Sequence, residues 1–512
     1  MSKRTVTDFF DKEYLEYAKY VVENRAIPSC IDGLKPTQRK VVYIANKIWK
    51  SGNEKPMKLF QLAGRVAAEA YYHHGNTSLE SSMVGMAQGF KNSLPLLDGI
   101  GQFGSLRSPS AGAPRYISGK LHPNFRLLYK DFELLENKIE EGEKIEPEFF
   151  LPIIPTVILN GSSGIAVGFA TNILNRNPKD VVNACISVLM DKRMPSLPPW
   201  LKEFSGTFTR DTVNPKTWKI SGLYEVLNTT TVKVNEIPPG FTYERYEEHL
   251  NNLIEKRIIT GYDDNSSGKV EYVLKFQRAI LKEYVSKNKL EALLKINSQE
   301  TENLTTIDEN GKLKIFNKVE EIVKHFVNIR LKWYDTRKAY LIAKLERELL
   351  IISNKARFIK DIIDGKLIVN NAPKKTIISY LENNKYDEID GSYNFLLNMP
   401  IYSLTKERFD ELLKQEAEKK AEKKVIEGTD PKEMYLTDLE TLKKAIKKLN
   451  LLRKSNIKIN NIMSKYKIRT QQGVDVSACE ATSKAKAWAW IAAVKQLTLE
   501  QAQKLYTITK IN

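Results

Sequence analysis

A chain of 512 residues has room for three or four domains with their own cores, and 42% hydrophobic with 28% charged residues is a globular composition. Cys30, Cys185 and Cys479 stand too far apart for a disulfide framework or a cysteine-rich zinc site, no apolar run approaches the roughly 18 residues of a membrane span, and "MSKRTVTDFF" lacks a signal-peptide core. The expectation is a soluble intracellular protein. The net charge of +18 is unevenly spread: residues 1–130 carry 19 Lys/Arg against 10 Asp/Glu, residues 131–150 carry 8 acids against 2 bases, and residues 441–512 carry 15 bases against 3 acids. Two basic ends suggest a polyanionic partner, most simply nucleic acid, although lysine-rich surfaces also serve solubility.

Residues 8–25 read as an amphipathic helix with Phe9, Tyr14, Tyr17, Ala18 and Val21 on one face. After turns at Ile27-Pro28 and Asp32-Gly33, a helix starts near Pro36. It buries Val41, Val42, Ala45 and Ile48 and exposes Lys35, Gln38, Arg39, Lys40 and Lys47. A second helix around "MKLFQLAGRVAAEAYY" suits a helix-turn-helix or winged-helix unit, or any small helical domain with basic faces. The acids of 131–150 read as a solvated face. "LPIIPTVILNGSSGIAVGFATNI" (151–173) reads as strand, tight turn, then strand or buried helix, and residues 200–320 read as an α+β domain.

From Val319 a helical pattern runs about 45 residues without Gly or Pro, roughly 65–70 Å, with Ile322, Phe326, Ile329, Trp333, Tyr340, Leu345 and Leu349 on its apolar face. A second helix spans Ser403 to Gly428 with a thin apolar seam. The two read as an antiparallel coiled coil with a small globule, residues 366–402, at its far end. "TLEQ" at 498–501 offers a capping box for a last short helix.

The chemistry centres on "SPSAGAPRYISGKL" (108–121), in which Tyr116 follows Arg115 among small residues. A phenol near pKa ~10 is a weak nucleophile, but a guanidinium beside it favours the phenolate and holds phosphate oxygens. Such a pair in isolation is also an ordinary surface feature. In "YYHHGNTSL" (71–79), His73 and His74 could donate to phosphate, act in acid-base chemistry, or supply half a metal site, and a satisfied polar turn fits His73.

Six segments in order resemble the breakage-reunion subunit of type IIA DNA topoisomerases. They are "RAIPSCIDGLKPTQRKVVY", "YYHHGNTSL", "LLDGIGQFGS", "PRYISGKL", "LPIIPTVILNGSSGIAVGFATNI" and "LLNMPIYSLTKERFDELL", spanning about residues 20–430. The resemblance implies an α+β multidomain protein. Its parts are an N-terminal arm helix (1–20), a winged-helix breakage-reunion domain (21–158) and a tower domain (159–318). A coiled coil with a helical dimer gate (319–435) and a basic tail (436–512) follow. It further implies that Tyr116 is the nucleophile, that Arg115 and Arg25 act on the scissile phosphate, and that His74 hydrogen-bonds near it. Lys35, Gln38, Arg39, Lys40 and Asn172 would contact DNA, and Ile173 would wedge between base pairs. Gln38 stands where a basic residue or histidine is usual, and Ser81 where many members carry an acid, which predicts weak fluoroquinolone sensitivity.

By the same resemblance the protein is a homodimer acting with an ATPase/Toprim partner subunit that uses ATP and holds most of the Mg²⁺, since no compact carboxylate cluster stands near Tyr116 in the sequence. The absence of a repeated wrapping domain predicts relaxation rather than supercoiling, with 441–512 adding nonspecific DNA affinity or serving as an unstructured solubilising end. The expected location is the host cytoplasm of a phage-infected bacterium. Tyrosine recombinases place the tyrosine late, unlike Tyr116. A non-enzymatic architectural DNA-binding coiled-coil dimer explains the charge and the long helices but not the Arg-Tyr setting.

Overall fold

The computed structural model describes the backbone of residues 9–52, 54–462, 464–470, 475–481 and 506–511, and the side chains of residues 12–52 and 54–449. The chain forms two compact units, 1–439 and 440–512. The first opens with a helical segment in which an α-helix, Leu15–Val21, is flanked by wider π-helical turns, Phe9–Tyr14 and Val22–Ala26. The expected apolar stripe forms only at its end. Val21 is buried, but the wider turns shift the period, and Tyr14 and Tyr17 face solvent.

Three helices follow, Pro36–Ile48, Leu59–Glu69 and Asn76–Ala87, the first with proline at its start as the sequence predicts. Val41, Val42 and Ala45 are fully buried, as are Leu59, Leu62 and Met83 on the other two helices. A three-stranded antiparallel sheet closes the group, with Ser118–Leu121 between Met57–Lys58 and Leu97–Ile100. The Asp32-Gly33 turn fixes the first helix. Gly33 has φ +67°, and a Cβ there would lie 2.4 Å from the Val157 nitrogen, so only glycine lets this turn seat on the short helix Thr156–Leu159.

The acidic stretch meets the expectation only in part. It forms a hairpin, Asn137–Glu140 with Glu143–Pro147. Glu133, Glu136, Glu141, Glu143 and Glu148 are exposed, but Glu146 is 1% exposed and lies 3.1 Å from Lys40, and buried Asp131 meets Arg330 and Arg337. Burial of a carboxylate requires such partners, so Asp131 and Glu146 neutralise basic residues from elsewhere while the exposed acids form the expected solvated face.

Residues 151–173 make a short strand, Leu151–Pro152, the helix Thr156–Leu159, and a hairpin of Ser162–Ile165 with Ala170–Ile173. Beyond it lies a four-stranded antiparallel sheet in the order Leu223–Val226, Thr231–Glu236, Tyr272–Phe276, Ile259–Asp264. The helix Tyr243–Glu255 buries Tyr246, Leu250 and Leu253 against it. A hairpin, Leu304–Ile307 with Leu313–Phe316, leads into the 45-residue helix Val319–Ile363.

That long helix runs antiparallel to Lys406–Gly428: Lys338 bonds Glu427 and Thr429, Lys423 pairs with Glu346, and Lys419 pairs with Glu348. Of the predicted apolar face, Ile322, Phe326, Ile329 and Leu345 are buried. Phe358, near the end of the long helix, packs with Leu367, Leu381 and Leu396 from the segment between the two helices to form a separate small core. The second unit includes a three-stranded antiparallel sheet with Ser464–Thr470 between Asp475–Ala481 and Tyr506–Ile511. An unstructured end is therefore not what those strand residues form, and residues 498–501 lie outside the described residues. No helix among the described residues is long and apolar enough to cross a membrane.

Candidate functional site

The hairpin 162–173 and the segment around Arg25 come together because both have been stripped of bulk where they touch. A Cβ on Gly164 would lie 2.2 Å from the Ala26 carbonyl oxygen, and Lys35 Nζ donates to the Ser163 carbonyl at 2.7 Å. The result is a groove of about 750 Å³ lined by Arg25, Lys35, Gln38, His74, Ser81 and Ile165, among others. Among the described residues, no carboxylate lines it. Four of the residues predicted from sequence thus meet in one place although they are spread from position 25 to position 74.

The cations of the Pro36–Ile48 helix are not equivalent. The sequence pattern puts Arg39 on the exposed face. In the structure it is 4% exposed, and its guanidinium donates to both carboxylate oxygens of fully buried Asp32 at 2.7 and 3.1 Å. Asp32 also accepts from the Leu34 and Phe150 backbone N–H groups. Arg39 is therefore committed to the turn that starts its own helix, and a DNA contact from it is ruled out by burial. Lys40 donates to the Ala70 carbonyl and to Glu146 at 3.1 Å, with little of its side chain exposed. Gln38 reaches back to accept from the Lys35 N–H at 3.0 Å, capping the helix. Burial lowers the Lys35 pKa, and its ammonium is engaged by Ser163. Arg25, by contrast, is exposed and makes no ion pair with any of the described residues.

The two histidines part company. His73 Nε2 lies 2.8 Å from Glu140, whereas His74 Nε2 lies 2.8 Å from the Tyr20 hydroxyl and its ring meets Tyr20 and Tyr72 edge-on. A joint metal site of the pair is excluded by these divergent partners. Only His74 lines the groove with Arg25.

The isoleucine assignment also changes. Ile173 is 3% exposed, because the strand after it is tied down: the Leu174 N–H donates to Glu302, which also holds fully buried Arg176 at 2.7 Å. A side chain so packed cannot enter a DNA stack. Asn172 is consumed as well, exchanging backbone bonds with Asn303 and donating its amide to Thr301. Ile165, at the other end of the same hairpin, is 89% exposed and lines the groove. The sequence signal was available, since Ile165 lies between Gly164 and the turn, where the hairpin must end.

Tyr116 stands two residues before the central strand Ser118–Leu121. It is 71% exposed, the Arg115 guanidinium lies 5.2 Å from its ring centroid, and Lys58 Nζ donates to its carbonyl at 2.7 Å. Sequence reasoning missed what steadies the loop ahead of it. Gln88 donates to the carbonyls of Phe103 and Pro109, and buried Arg107 pairs with Glu236 at 2.6 Å and donates to Pro238 and Phe241 carbonyls. These bonds tie the loop to the four-stranded sheet 130 residues away, a contact no local pattern reveals. Tyr116 does not line the groove of Arg25. The two features adjoin across the helix Asn76–Ala87, whose Ser81 and Gly85 face both that groove and the one lined by Pro109–Pro114.

The family model for the A-type chain of DNA gyrase/topoisomerase IV matches residues 25–447. The chain is 34% identical to DNA topoisomerase 2 of Plasmodium falciparum, over 91% of this chain and 36% of that protein. It is also 34% identical to human DNA topoisomerase 2-alpha, over 85% of this chain and 31% of that protein. The chain thus spans about a third of the curated relatives it matches. The crystal structure of the Plasmodium falciparum topoisomerase II DNA-binding, cleavage and re-ligation domain superposes with a TM-score of 0.79 at 34% identity, covering 88% of this chain and 65% of that one.

Proposed function

The chain belongs to the A-type family of DNA gyrase/topoisomerase IV, and we propose that it is the DNA-cleaving and religating part of a type II topoisomerase. The observation that carries this reading is the groove itself: Arg25, Lys35, His74 and an exposed Ile165 line one concavity, one helix away from a loop that presents Tyr116 under Arg115. In this reading the Tyr116 oxygen attacks a backbone phosphorus. The P–O3′ bond breaks, the 3′-oxygen leaves as a hydroxyl, and the 5′-phosphate stays on the tyrosine. Religation is the reverse attack by the 3′-hydroxyl, which returns the proton to the tyrosine oxygen, so each step exchanges one phosphoester bond for another. Arg115 and Arg25 hold the charge that develops on the phosphate, and His74, oriented by Tyr20, donates a hydrogen bond to it. Ile165 replaces Ile173 as the side chain that wedges into the duplex.

The groove and Tyr116 are separate within one chain, so bringing both onto one phosphate is a task for a homodimer. The exposed Ile368, Ile401 and Tyr402 between the two antiparallel helices suit a dimer contact there, and we read these helices as a coiled coil, residues 21–158 as a winged-helix breakage-reunion domain and residues 159–318 as a tower. With no carboxylate in the groove, these residues do not make a Mg²⁺ site. No step is assigned to a metal, and the Mg²⁺ and ATP of this reading belong to an ATPase/Toprim partner. We further read "ENRAIPSCIDGLKP" (23–36) as resembling the medium subunit of T-even bacteriophage DNA topoisomerase, a reading under which the protein would act in the cytoplasm of an infected bacterium. The test is covalent trapping on DNA with the ATPase/Toprim partner present. Tyr116→Phe should abolish the adduct and leave DNA affinity intact, and persistence of the adduct would sink the reading. An architectural DNA-binding dimer predicts binding with no adduct in either protein.

A further inference from the structure

Away from the groove, three chemically distinct donors meet at one point. Cys30 sits in the turn that joins the Arg25 segment to the Pro36–Ile48 helix, five residues from Arg25 and five from Lys35. Its backbone is stitched to the hairpin 304–316: the Cys30 N–H donates to the Ile307 carbonyl at 2.8 Å, and the Ile307 N–H donates to the Pro28 carbonyl at 2.9 Å. Glu309 lies in the tip of that hairpin, where Asp308 caps the turn by accepting from the Asn310 and Lys312 N–H groups. His325 comes from the second turn of the long helix, with its ring against Phe316. The Cys30 sulfur, a Glu309 oxygen and a His325 nitrogen all lie within 4.8 Å of one another.

The donor set and its setting favour a cation. His325 Nε2 is 2.9 Å from Glu309 Oε2, and Lys314 Nζ lies 3.3 and 3.4 Å from the two ring nitrogens. Cys30 is 1% exposed, and the carboxylates of Glu309 and Asp308 stand near its sulfur. The acids outnumber the one nearby ammonium. Thiolate, imidazole and carboxylate are the ligand types of tetrahedral zinc, whose bond lengths of about 2.0–2.3 Å put ligand atoms roughly 3.3–3.7 Å apart. Closing from 4.8 Å takes about an ångström, within reach of the Glu309 and His325 rotamers, and Glu309 is partly exposed, which leaves the fourth position to water.

We infer that Cys30, Glu309 and His325 form a binding site for one divalent zinc-class ion, which pins the turn between Arg25 and Lys35 to the 304–316 hairpin and the long helix. Binding moves the thiol proton to solvent and displaces Lys314 from the imidazole. The site contains no residue assigned to DNA cleavage, so it stands or falls independently of that reading.

The experiment is a Co²⁺ titration of the full chain, stripped of metal by a chelator and free of DNA. The expected result is one equivalent bound with a thiolate-to-cobalt charge-transfer absorption that Zn²⁺ abolishes by displacement. Cys30→Ser should remove that absorption, Cys185→Ser and Cys479→Ser should keep it, and Glu309→Gln and His325→Ala should each weaken binding at least about tenfold, the scale of a disturbed metal shell. Absence of the absorption in the unaltered chain, or its survival in Cys30→Ser, overturns the inference. Should Cys30→Ser fail to fold, His325→Ala decides: unchanged Co²⁺ affinity in that variant also overturns it.

Discussion

Arg25 and Arg39 are fourteen positions apart in one motif-rich stretch, yet they do opposite work. Arg39 is buried on Asp32 and holds the Asp-Gly turn and the helix start together. Arg25 faces the groove and has no ion pair among the described residues. The difference lies in which carboxylates the fold delivers. Asp32 and Glu146 neutralise Arg39 and Lys40, whereas no acid among the described residues lines the groove. A basic motif is therefore part scaffold and part site, and its charge count alone overstates how much of it meets a polyanion.

The comparison breaks most readily at Arg39. Arg39→Ala should destabilise the protein by about 3–5 kcal/mol, because it leaves Asp32 buried without its cation, and chemical denaturation will read this. Arg25→Ala should leave the unfolding midpoint unmoved and slow DNA cleavage by roughly 10²–10³-fold, the scale of one lost donor to a developing charge. If Arg25→Ala were the destabilising variant, the division would be reversed.

A smaller effect sharpens the same contrast within one hairpin. Ile173→Val should cost about 0.5–1.5 kcal/mol of stability as a packed methylene is lost. Ile165→Ala should change stability by less than about 0.5 kcal/mol, yet reduce the bend of bound DNA, measured by energy transfer between duplex ends. Acid titration supplies the mildest test. Burial alone would raise the Asp438 pKa, but the Tyr334 hydroxyl at 2.7 Å and the Arg337 guanidinium bring it below the ordinary carboxylate value. A depressed carboxylate stabilises the fold above its unfolded pKa of about 3.9 and loses that contribution as pH falls through its lower folded value. Asp438→Asn should flatten the loss of stability below about pH 4 and leave the slope near neutrality unchanged.

Much of this was legible in the sequence because it is local. The 45-residue helix follows from an unbroken apolar period, the Pro36 helix start from its proline, and the Tyr116 loop from its small residues. What escaped is set by partners distant in the chain. Nothing near Arg107 announces Glu236, and nothing near Asp131 announces Arg330. The Ile165 and Ile173 exchange has the same origin, since the Glu302–Arg176 pair that buries the second isoleucine is assembled across 126 positions. Within the acidic run, Asp131 and Glu146 mislead for the complementary reason: a carboxylate in a polar segment looks solvated until the fold supplies its cation.

The central claim is that Tyr116 becomes linked to a DNA 5′-phosphate. Trapping the complex with denaturant during cleavage, digesting it, and locating the modified peptide by mass spectrometry tests this directly. The account predicts a nucleotide 5′-phosphate on Tyr116 in the peptide following Arg115. A trapped adduct on any other residue, or none under conditions where both strands are cut, would contradict it.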